Sequence, residues 1–461
     1  MNIEIADLSK YKHIHLIGIG GISMSAIAET LNNWKYKVTG SDLYQSEITD
    51  SLQKNGINVV IGHDLENSKN ADLIVYSAAI SDDDPEMIIA KENNIPIIDR
   101  GNFVGFLTKL YKQAICVSGT HGKTTTTSMI SVCFINGLKD PTVEVGALLK
   151  EINGNYRIGN SEYFILESCE YKANFLKFNP NTAVILNIDN DHLDYYKTFE
   201  NVVKAFQNFA LLIDKDGLLV TNADDKNCFA LKDIAKCKFI SYGLENENAD
   251  FIAKNISFND SGFPKFDVYK AKNYYTTIEL SIAGKHNILN ALACIAVCDY
   301  YNISKDVISS SLKSFTGANR RLEYKGTIGE NVLIFDDYAH HPTEIKATSD
   351  AIKNKKYNES WVIFQPHTYS RTKLLLNAFA DSISDFDNII ITDIYAAREK
   401  DTLGVSSLDL VNKLNEKGKN AKYISDFDEI VKFLKDNVKE NDLILTLGAG
   451  TVTNIGPMLV E

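Results

Sequence analysis

The residue types that bind a phosphate group occur together in one short segment, Ser118-Gly119-Thr120-His121-Gly122-Lys123-Thr124-Thr125. It follows the apolar run 114–117, which predicts a strand, and it precedes 126–136, which predicts a helix. Glycines let a backbone wrap around an anion, the amides of a helix start point towards it, and a lysine adds a positive charge. Thr124 offers a hydroxyl to a magnesium ion. The segment predicts a nucleoside triphosphate site, with a structural glycine turn as the alternative.

A second glycine-rich loop, Gly18-Ile19-Gly20-Gly21-Ile22-Ser23, follows the first predicted strand and opens the first predicted helix. It resembles the dinucleotide-binding fingerprint, although Ser23 takes the third glycine position. Asp42 lies about 20 residues further on, where a ribose-binding acid is expected. Three interpretations stay open for this loop: a nicotinamide cofactor, a structural turn, or the diphosphate of another nucleotide.

Acidic residues and a histidine follow two strands of the middle of the chain. Glu167 ends the strand that begins at Tyr163, with Glu170 as a rival ligand, and His192 follows the predicted strand 183–188. Ligands bind at the carboxyl ends of strands in open α/β sheets, so Glu167, His192 and the phosphate loop are predicted to converge. Carboxylates and hydroxyls suit Mg²⁺ or Mn²⁺, and imidazole suits softer first-row ions.

Two further segments have side chains suited to nucleotides. Asn287 and Asn290 are three apart at a helix start, where their amides can contact an adenine edge, and a helix cap is the alternative. The pair Arg320-Arg321 can clamp phosphates, and a solvated surface pair is equally consistent with the sequence.

The last third of the chain has two histidine-containing loops directly after predicted strands. The loop 336–344 combines two aspartates, Tyr338 and two histidines. In the loop after 361–364, His367 and Arg371 are four apart across a helix start, which suits a carboxylate ligand. A zinc site is an open alternative for the first loop, but no further Cys or His has ligand spacing.

Composition limits the class of protein. The net charge of -12 argues against nucleic acid or an anionic membrane as the main partner. No apolar run approaches the roughly 18 residues of a membrane helix, and 1–10 has no signal-peptide pattern. The seven cysteines are odd in number and contain no C-x-x-C, which predicts reduced thiols in a cytoplasmic protein.

Strand-like runs alternate with helical patterns throughout, which predicts an α/β fold with mainly parallel sheets. We predict three domains, comprising residues 1–108, 109–317 and 318–461. The first and third are predicted to be Rossmann-like. The central one is predicted to be a P-loop-type ATPase domain with a mainly parallel sheet and a small antiparallel sheet from about residue 250 to 283.

Six motifs in chain order resemble the Mur ligase family, and together they cover essentially the whole chain. They are Gly-Ile-Gly-Gly, Gly-Thr-His-Gly-Lys-Thr-Thr, Asn-Ile-Asp-x-Asp-His, His-Asn-x-x-Asn, Asp-Asp-Tyr-Ala-His-His-Pro-Thr-Glu and Gln-Pro-His-x-Tyr-x-Arg-Thr.

The resemblance implies that the three domains bind a uridine diphosphate sugar, ATP and an amino acid. It implies ATP-dependent joining of L-alanine to the lactyl carboxylate of UDP-N-acetylmuramate through an acyl phosphate, with Mg²⁺ or Mn²⁺, in peptidoglycan precursor synthesis. A sister ligase that attaches recycled murein peptide to the same sugar is the alternative. An oxidoreductase that uses the first loop and a regulatory P-loop protein are more distant alternatives.

The resemblance also implies residue roles. Lys123, His340 and Arg371 are expected to be catalytic, with His340 as the base for the ammonium proton. ATP is expected at Gly119, Thr120, His121, Gly122, Lys123, Thr124, Thr125, His286, Asn287, Asn290, Arg321 and Asp337. The sugar nucleotide is expected at Gly18, Gly20, Gly21, Asp42, His63, Ser77 and Arg100. The amino acid and carboxylate are expected at Tyr338, His340, His367 and Arg371, and the metal at Thr124, Glu167 and His192.

Overall fold

Short β-branched runs alternate with helices along the chain in the computed structural model, which describes residues 7–397 and 399–460. The chain divides into two units. One extends to Tyr242 and includes residues 296–300, and the other comprises residues 243–295 and the chain from Tyr301 onwards. Residues 1–6, 398 and 461 of the predicted domains lie outside the described residues. The three domain boundaries stay a prediction.

The first unit begins with a parallel sheet covered by helices. Its strands are β1 (His13–Ile17), β2 (Lys37–Asp42), β3 (Asn58–Ile61), β4 (Leu73–Tyr76) and β5 (Ile97–Asp99). Its helices are α1 (Ile22–Asn33), α2 (Glu47–Lys54), α3 (Leu65–Ser68), α4 (Pro85–Glu92) and α5 (Arg100–Leu110). The strands are parallel and their order in the sheet is β3-β2-β1-β4-β5, so the chain builds outwards first on one side of β1 and then on the other. In open α/β sheets, a ligand crevice forms where the strand order changes side in this way.

The remainder of the first unit contains seven more strands. They are β6 (Gln113–Ser118), β7 (Thr142–Leu149), β8 (Gly154–Arg157), β9 (Tyr163–Glu167), β10 (Thr182–Ile185), β11 (Leu218–Asn222) and β12 (Lys238–Gly243). Their order is β12-β11-β10-β6-β9-β7-β8, and the β7–β8 pair is antiparallel. The accompanying helices are α6 (Lys123–Asn136), α7 (Leu193–Tyr196), α8 (Phe199–Ala210) and α9 (Lys226–Phe229). Strand β10 is fully buried, as expected for a central parallel strand.

The second unit contains two groups of strands. The antiparallel strands β13 (Phe251–Phe258), β14 (Pro264–Lys270) and β15 (Asn273–Glu279) are consecutive neighbours. The other group comprises β16 (Glu323–Ile328), β17 (Val332–Asp337), β18 (Ser360–Phe364), β19 (Asn388–Ile391), β20 (Ala421–Tyr423) and β21 (Leu443–Leu447). Its order is β16-β17-β21-β18-β19-β20. Within this group, as far as the structure describes it, β16 pairs with β17 in the antiparallel sense and the other pairs are parallel.

The later helices flank these strands. They are α10 (His286–Tyr300), α11 (Lys305–Ser314), α12 (Pro342–Ile352), α13 (Tyr369–Leu374), α14 (Leu376–Ile383), α15 (Ser407–Glu416), α16 (Phe427–Asn437) and α17 (Ile455–Val460). Short 3-10 helices lie at Leu8–Lys10, Lys150–Ile152, Tyr171–Lys177, Ala230–Asp233 and Thr451–Asn454. Across the described ranges, none of the helices combines the length and apolar character needed to cross a membrane.

The predicted α/β class with mainly parallel sheets is confirmed, and the antiparallel strands expected from about residue 250 to 283 are present as β13, β14 and β15 of a mixed sheet. One predicted strand boundary is wrong: the strand expected over 183–188 ends at Ile185. The backbone beyond it turns towards the phosphate loop, where the Leu186 amide donates to the Ser118 carbonyl at 3.0 Å and the Asn187 carbonyl accepts from Thr120. The pair β7–β8, in which β8 is the last strand of the order, is not among the predicted strands.

The close contact between α5 and the 3-10 helix Tyr171–Lys177 depends on Gly105. A Cβ at this position would lie 2.1 Å from the Lys177 carbonyl oxygen, which is a backbone atom. We expect Gly105→Ala to lower the free energy of unfolding by about 1–3 kcal/mol, the usual cost of overpacking. The control is Gly456→Ala in α17, where the added Cβ would make ordinary van der Waals contacts with the side chains of Lys325 at 3.4 Å and Ile334 at 3.8 Å. Urea unfolding of both variants checks this, and equal stability would contradict it.

Candidate active site

The phosphate loop joins the buried strand β6 to helix α6. Gly119 has φ +140° and Gly122, the N-cap of α6, has φ +85°, and L side chains rarely adopt either conformation. Lys123 is the first residue of α6, and Thr124 and Thr125 follow it in buried positions. The structure therefore has the strand, loop and helix order that the sequence predicts for a phosphate site.

The ammonium group of Lys123 is enclosed by oxygen atoms. It donates to the carbonyls of Gly119 at 2.5 Å and Thr120 at 3.0 Å, and it lies 2.9 and 3.2 Å from the two carboxylate oxygens of Glu170. Burial opposes the charge, but the adjacent Glu170 carboxylate outweighs it and raises the pKa of Lys123 above its ordinary value. Lys123 is therefore held as a cation beside the loop.

Asn187, to which the sequence motifs assign no role, stabilises the phosphate loop by hydrogen bonds. Its Oδ1 accepts from the His121 amide at 2.8 Å, and its Nδ2 donates to the His121 carbonyl at 3.0 Å. Thr120 Oγ1 accepts from the Asp189 amide at 2.9 Å, and the His121 ring lies 3.1 Å from the Asp189 carboxylate. The segment after β10 thus fixes the loop conformation from one side.

Two of the three predicted metal ligands are in contact. Thr124 Oγ1 donates to Glu167 Oε2 at 3.1 Å, and Glu167 Oε1 accepts from the Gly146 amide at 2.5 Å. His192 lies instead beside Glu170, with Nε2 3.4 Å from Oε1, and its ring packs on Tyr171. The hydroxyl and carboxylate oxygens fit a hard cation such as Mg²⁺, and the imidazole also fits Mn²⁺.

The first glycine-rich loop is held by Asp42, whose Oδ2 accepts from the Gly20 amide at 2.8 Å. Gly18 has φ +79°, and a Cβ there would lie 3.0 Å from the Cβ of Ser77. Gly21 caps α1. Asp42 therefore stabilises the loop itself, a role that the spacing alone did not indicate. Ser77, at the end of β4, lies beside the loop as expected.

Other predicted sugar-nucleotide residues make polar contacts in the same unit. His63 Nδ1 is bonded to the Asp84 carboxylate. Arg100 donates to the Ser23 hydroxyl at 3.1 Å, and that hydroxyl donates to Glu144 at 2.5 Å. Glu144 on the unpredicted strand β7 is a contact that the sequence analysis missed, and burial raises the pKa of its carboxyl.

In the second unit, Asp337 at the end of β17 holds the surrounding turn. Its carboxylate accepts from the amides of Leu322 and Ala339, both at 2.8 Å. Burial raises the pKa of Asp337 to about 6, which the nearby Arg321 guanidinium only partly offsets. The Arg320 and Arg321 guanidinium groups both lie over the Tyr338 ring, at 5.0 and 5.2 Å. Arg320 also pairs with Asp336 at 3.1 Å.

The four predicted carboxylate and amino-acid residues form one cluster. The His340 ring packs against Tyr338 with ring centres 5.2 Å apart and against His367 at 5.6 Å. Arg371 Nη1 lies 3.1 Å from His367 Nδ1. The Tyr338 carbonyl, which can only accept, lies 3.0 Å from His340 Nδ1, so Nδ1 carries the proton and Nε2 is the basic nitrogen of the neutral ring.

Asn287 and Asn290 share one face of α10, as predicted. Asn290 Nδ2 donates to Asn287 Oδ1 at 2.9 Å, and Asn287 Nδ2 donates to the Ala283 carbonyl at 2.7 Å. Asn287 also lines a cavity of about 340 Å³ together with Arg321, Phe335 and Lys355. Asn290 therefore orients Asn287, and it does not line the cavity itself. His286 is exposed at the start of α10.

The fold and these sites define an α/β enzyme with a phosphate-binding loop. Three family models match the chain: "Mur ligase family, catalytic domain" over residues 13–112, "Mur ligase middle domain" over 117–298 and "Mur ligase, glutamate ligase domain" over 320–450.

Individual relatives match along almost their whole length. A UDP-N-acetylmuramate–L-alanine ligase of Acetivibrio thermocellus is 48% identical, covering 100% of this chain and 98% of the relative. The crystal structure of the UDP-N-acetylmuramate–alanine ligase of Thermotoga maritima aligns with a TM-score of 0.82 and 30% identity over 98% of each chain. A murein peptide ligase of Psychrobacter arcticus aligns with a TM-score of 0.70 and 23% identity, covering 97% of this chain and 98% of that one.

The chain belongs to the Mur ligase family, and it is a ligase. The resemblance inferred from six motifs is thereby confirmed. Membership in this family excludes the oxidoreductase and the regulatory P-loop protein as interpretations of the two glycine-rich loops.

The carboxylate of Glu167 gives a prediction about Gly146. A Cβ at position 146 would lie 2.9 and 3.0 Å from the two Glu167 oxygens. We expect Gly146→Ala to displace this carboxylate and weaken Mn²⁺ binding about 10–100-fold without unfolding the protein. The matched control is Gly154→Ala on β8, where the nearest atoms would be 3.9 Å away. Electron paramagnetic resonance of Mn²⁺ measures the affinity, and equal affinities of the two variants would contradict the expectation.

Asp337 gives a prediction about pH. Because burial raises its pKa from 3.8 to about 6, the folded protein holds this proton more tightly than the unfolded chain does. Its contribution to stability is therefore full below about pH 4 and falls as the pH rises through about 6, by roughly 3 kcal/mol in all. Asp337→Asn removes this titration, so its stability relative to the wild type should rise between about pH 4 and pH 7.

Urea unfolding across this pH range measures the difference between the two proteins. The control is Asp428→Asn, which changes an exposed aspartate in the first turn of α16. A stability difference between Asp337→Asn and the wild type that does not vary with pH would contradict the assignment.

Proposed function

We propose that this chain joins L-alanine to the lactyl carboxylate of UDP-N-acetylmuramate with the conversion of ATP to ADP and phosphate. The observation that carries the proposal is the enclosed Lys123 ammonium in a glycine loop, beside the Thr124–Glu167 oxygen pair. Together with full-length similarity to relatives named for this reaction, it supports a phosphoryl-transfer site in a Mur ligase. The reaction belongs to peptidoglycan precursor synthesis, and we propose that it occurs in the cytoplasm.

In the first step, the lactyl carboxylate attacks the γ-phosphate of ATP and forms an acyl phosphate. Lys123 and the amides at the start of α6 are proposed to neutralise the charge that develops on the transferring phosphoryl group, since the Thr120 and His121 amides are already bonded to Asn187. Thr124, Glu167 and His192 are proposed to hold Mg²⁺ or Mn²⁺. When bound, such an ion would add positive charge at the phosphates.

In the second step, the amine of L-alanine attacks the acyl carbon and phosphate leaves. His340 is proposed to remove the ammonium proton through Nε2, since Nδ1 donates to the Tyr338 carbonyl. Arg371, oriented by the adjacent His367 ring, is proposed to bind a carboxylate. The Tyr338 ring stacks with His340 and limits the positions that the imidazole can take.

The remaining sites are proposed to bind the nucleotides. Loop 18–21, with His63, Ser77 and Arg100, is proposed to hold the uridine diphosphate sugar. Loop 119–122 with Thr125, and the region of His286, Asn287, Asn290, Arg321 and Asp337, are proposed to hold ATP. The cavity lined by Asn287 and Phe335 is a suitable place for the adenine, because it offers an amide and an aromatic face.

The alternative substrate of the second step is a recycled murein peptide. The murein peptide ligase that aligns with this chain is only 23% identical, which shows the fold alone. The L-alanine-adding relatives reach 48% identity over the full chain, so L-alanine is the favoured acceptor.

Release of phosphate from ATP tests the proposal. We expect release to require both UDP-N-acetylmuramate and L-alanine, and to fall at least about 100-fold in Lys123→Ala, since a preorganised positive charge is lost from the transferring group. The matched control is Lys112→Ala, which removes an exposed lysine paired with Glu162 one strand earlier. Phosphate release that is independent of either substrate, or near-normal turnover by Lys123→Ala, would contradict the proposal.

A further inference from the structure

Glu170 is 2% exposed and lies between two residues that are proposed to act on ATP. Its Oε2 lies 2.9 Å from the Lys123 ammonium, and its Oε1 lies 3.2 Å from the same ammonium and 3.4 Å from His192 Nε2. Its backbone carbonyl accepts from the hydroxyl of the buried Tyr196. The backbone of Glu170 is therefore held by Tyr196, and both of its carboxylate oxygens face nitrogen donors.

We propose that Glu170 is a positioning residue that fixes both the phosphate-loop lysine and the orientation of His192. Nε2 of His192 lies 3.4 Å from Glu170 Oε1 and 3.8 Å from Asp191 Oδ2. Because carboxylates can only accept, a neutral ring in this position is favoured with its proton on Nε2 and its basic lone pair on Nδ1. A carboxylate that holds one imidazole nitrogen while the other meets an ion is a common way to orient a histidine ligand. This inference rests on the proposed function, since it concerns the ion that would accompany ATP.

The same contacts argue against Glu170 as a ligand in its own right. Glu167 has an oxygen in contact with the Thr124 hydroxyl, whereas both oxygens of Glu170 face Lys123 or His192. Moving Glu170 onto an ion would leave the buried Lys123 ammonium without its carboxylate, which is costly in a site where water is scarce. The two glutamates therefore have different tasks, although they are only three residues apart.

Replacement of Glu170 by glutamine separates charge from shape. The amide has one accepting oxygen and one NH₂ group. With the oxygen at the Oε1 position, the NH₂ group faces the Lys123 ammonium in place of Oε2; with the oxygen at the Oε2 position, the NH₂ group faces His192 Nε2. One of the two donors then meets an NH₂ group and must move. We expect Glu170→Gln to weaken the affinity for Mn²⁺ about 10–100-fold, the usual effect of losing such a partner.

The experiment is a calorimetric titration of the full-length protein with Mn²⁺ at saturating ADP. It uses wild type, Glu170→Gln, His192→Ala and the double variant. If Glu170 acts through His192, adding Glu170→Gln to His192→Ala produces less than about a two-fold further loss. The matched control is Glu162→Gln. Glu162 lies just before β9, the strand that Glu170 follows, and it pairs with Lys112. This variant should retain wild-type affinity for Mn²⁺.

Two results would overturn the proposal: wild-type Mn²⁺ affinity in Glu170→Gln, or losses that multiply in the double variant, as expected for an independent ligand. If Glu170→Gln does not fold, as judged by thermal unfolding, Glu170→Asp is used in the same cycle, because it keeps the charge but withdraws it by one methylene. The titration needs no turnover. A failure of the ligase assay and a failure of this inference are therefore distinguishable.

Discussion

Lys123 has a positive charge in a place where its side chain is only 16% exposed, and burying such a charge is expensive unless it is paired and fully hydrogen-bonded. Here two loop carbonyls and the carboxylate of Glu170 surround the ammonium. The carbonyl of Gly119 can face inwards because that glycine has φ +140°. The charge, the glycine conformation and the buried glutamate thus depend on one another, and removing any of them would leave an unsatisfied group.

Parallel sheets explain how residues far apart in the chain meet. Lys123 follows β6, Glu167 ends β9 with Glu170 just beyond it, and Asn187 follows β10. These three strands are neighbours in the sheet. The carboxyl ends of parallel strands lie at one edge, where loops can present polar groups without breaking the hydrogen bonds of the sheet. The first sheet places Asp42 and the glycine-rich loop in the same manner.

The second unit uses the same arrangement for a different kind of chemistry. The loop that contains Tyr338 and His340 follows β17, and the loop that contains His367 and Arg371 follows β18. Strand β21 lies between these two strands in the sheet, and the rings of His340 and His367 are nevertheless in contact. Histidine and arginine thus lie together, whereas the first unit gathers glycines, carboxylates and a lysine. This division fits a reaction with separate phosphoryl-transfer and amine-transfer steps.

Much of the fold and part of the candidate site could be predicted, because strand and helix periods are local properties of the sequence. The phosphate loop, the α/β class and the sharing of one helix face by Asn287 and Asn290 all follow from spacing. The role of Glu170 could not be predicted, because it depends on which strands are neighbours. The spacing predicts that Asp42 binds a ribose. In the structure, its carboxylate accepts from the Gly20 amide, a contact that depends on the conformation of the glycine-rich loop. Strand β8 lies at the end of its sheet with the polar sequence GNYR, and β7 is interrupted by Gly146, so neither has the continuous pattern that predicts a strand.

An isotope label can follow the oxygen atom that passes from the lactyl carboxylate to phosphate when an acyl phosphate forms. UDP-N-acetylmuramate labelled with ¹⁸O in that carboxylate is incubated with ATP, L-alanine and the enzyme, and the released phosphate is examined by mass spectrometry. If the carboxylate attacks the γ-phosphate and the amine then displaces phosphate, one ¹⁸O atom appears in the phosphate for each amide formed. Amide formation with unlabelled phosphate would contradict the acyl phosphate pathway and the role given to Lys123.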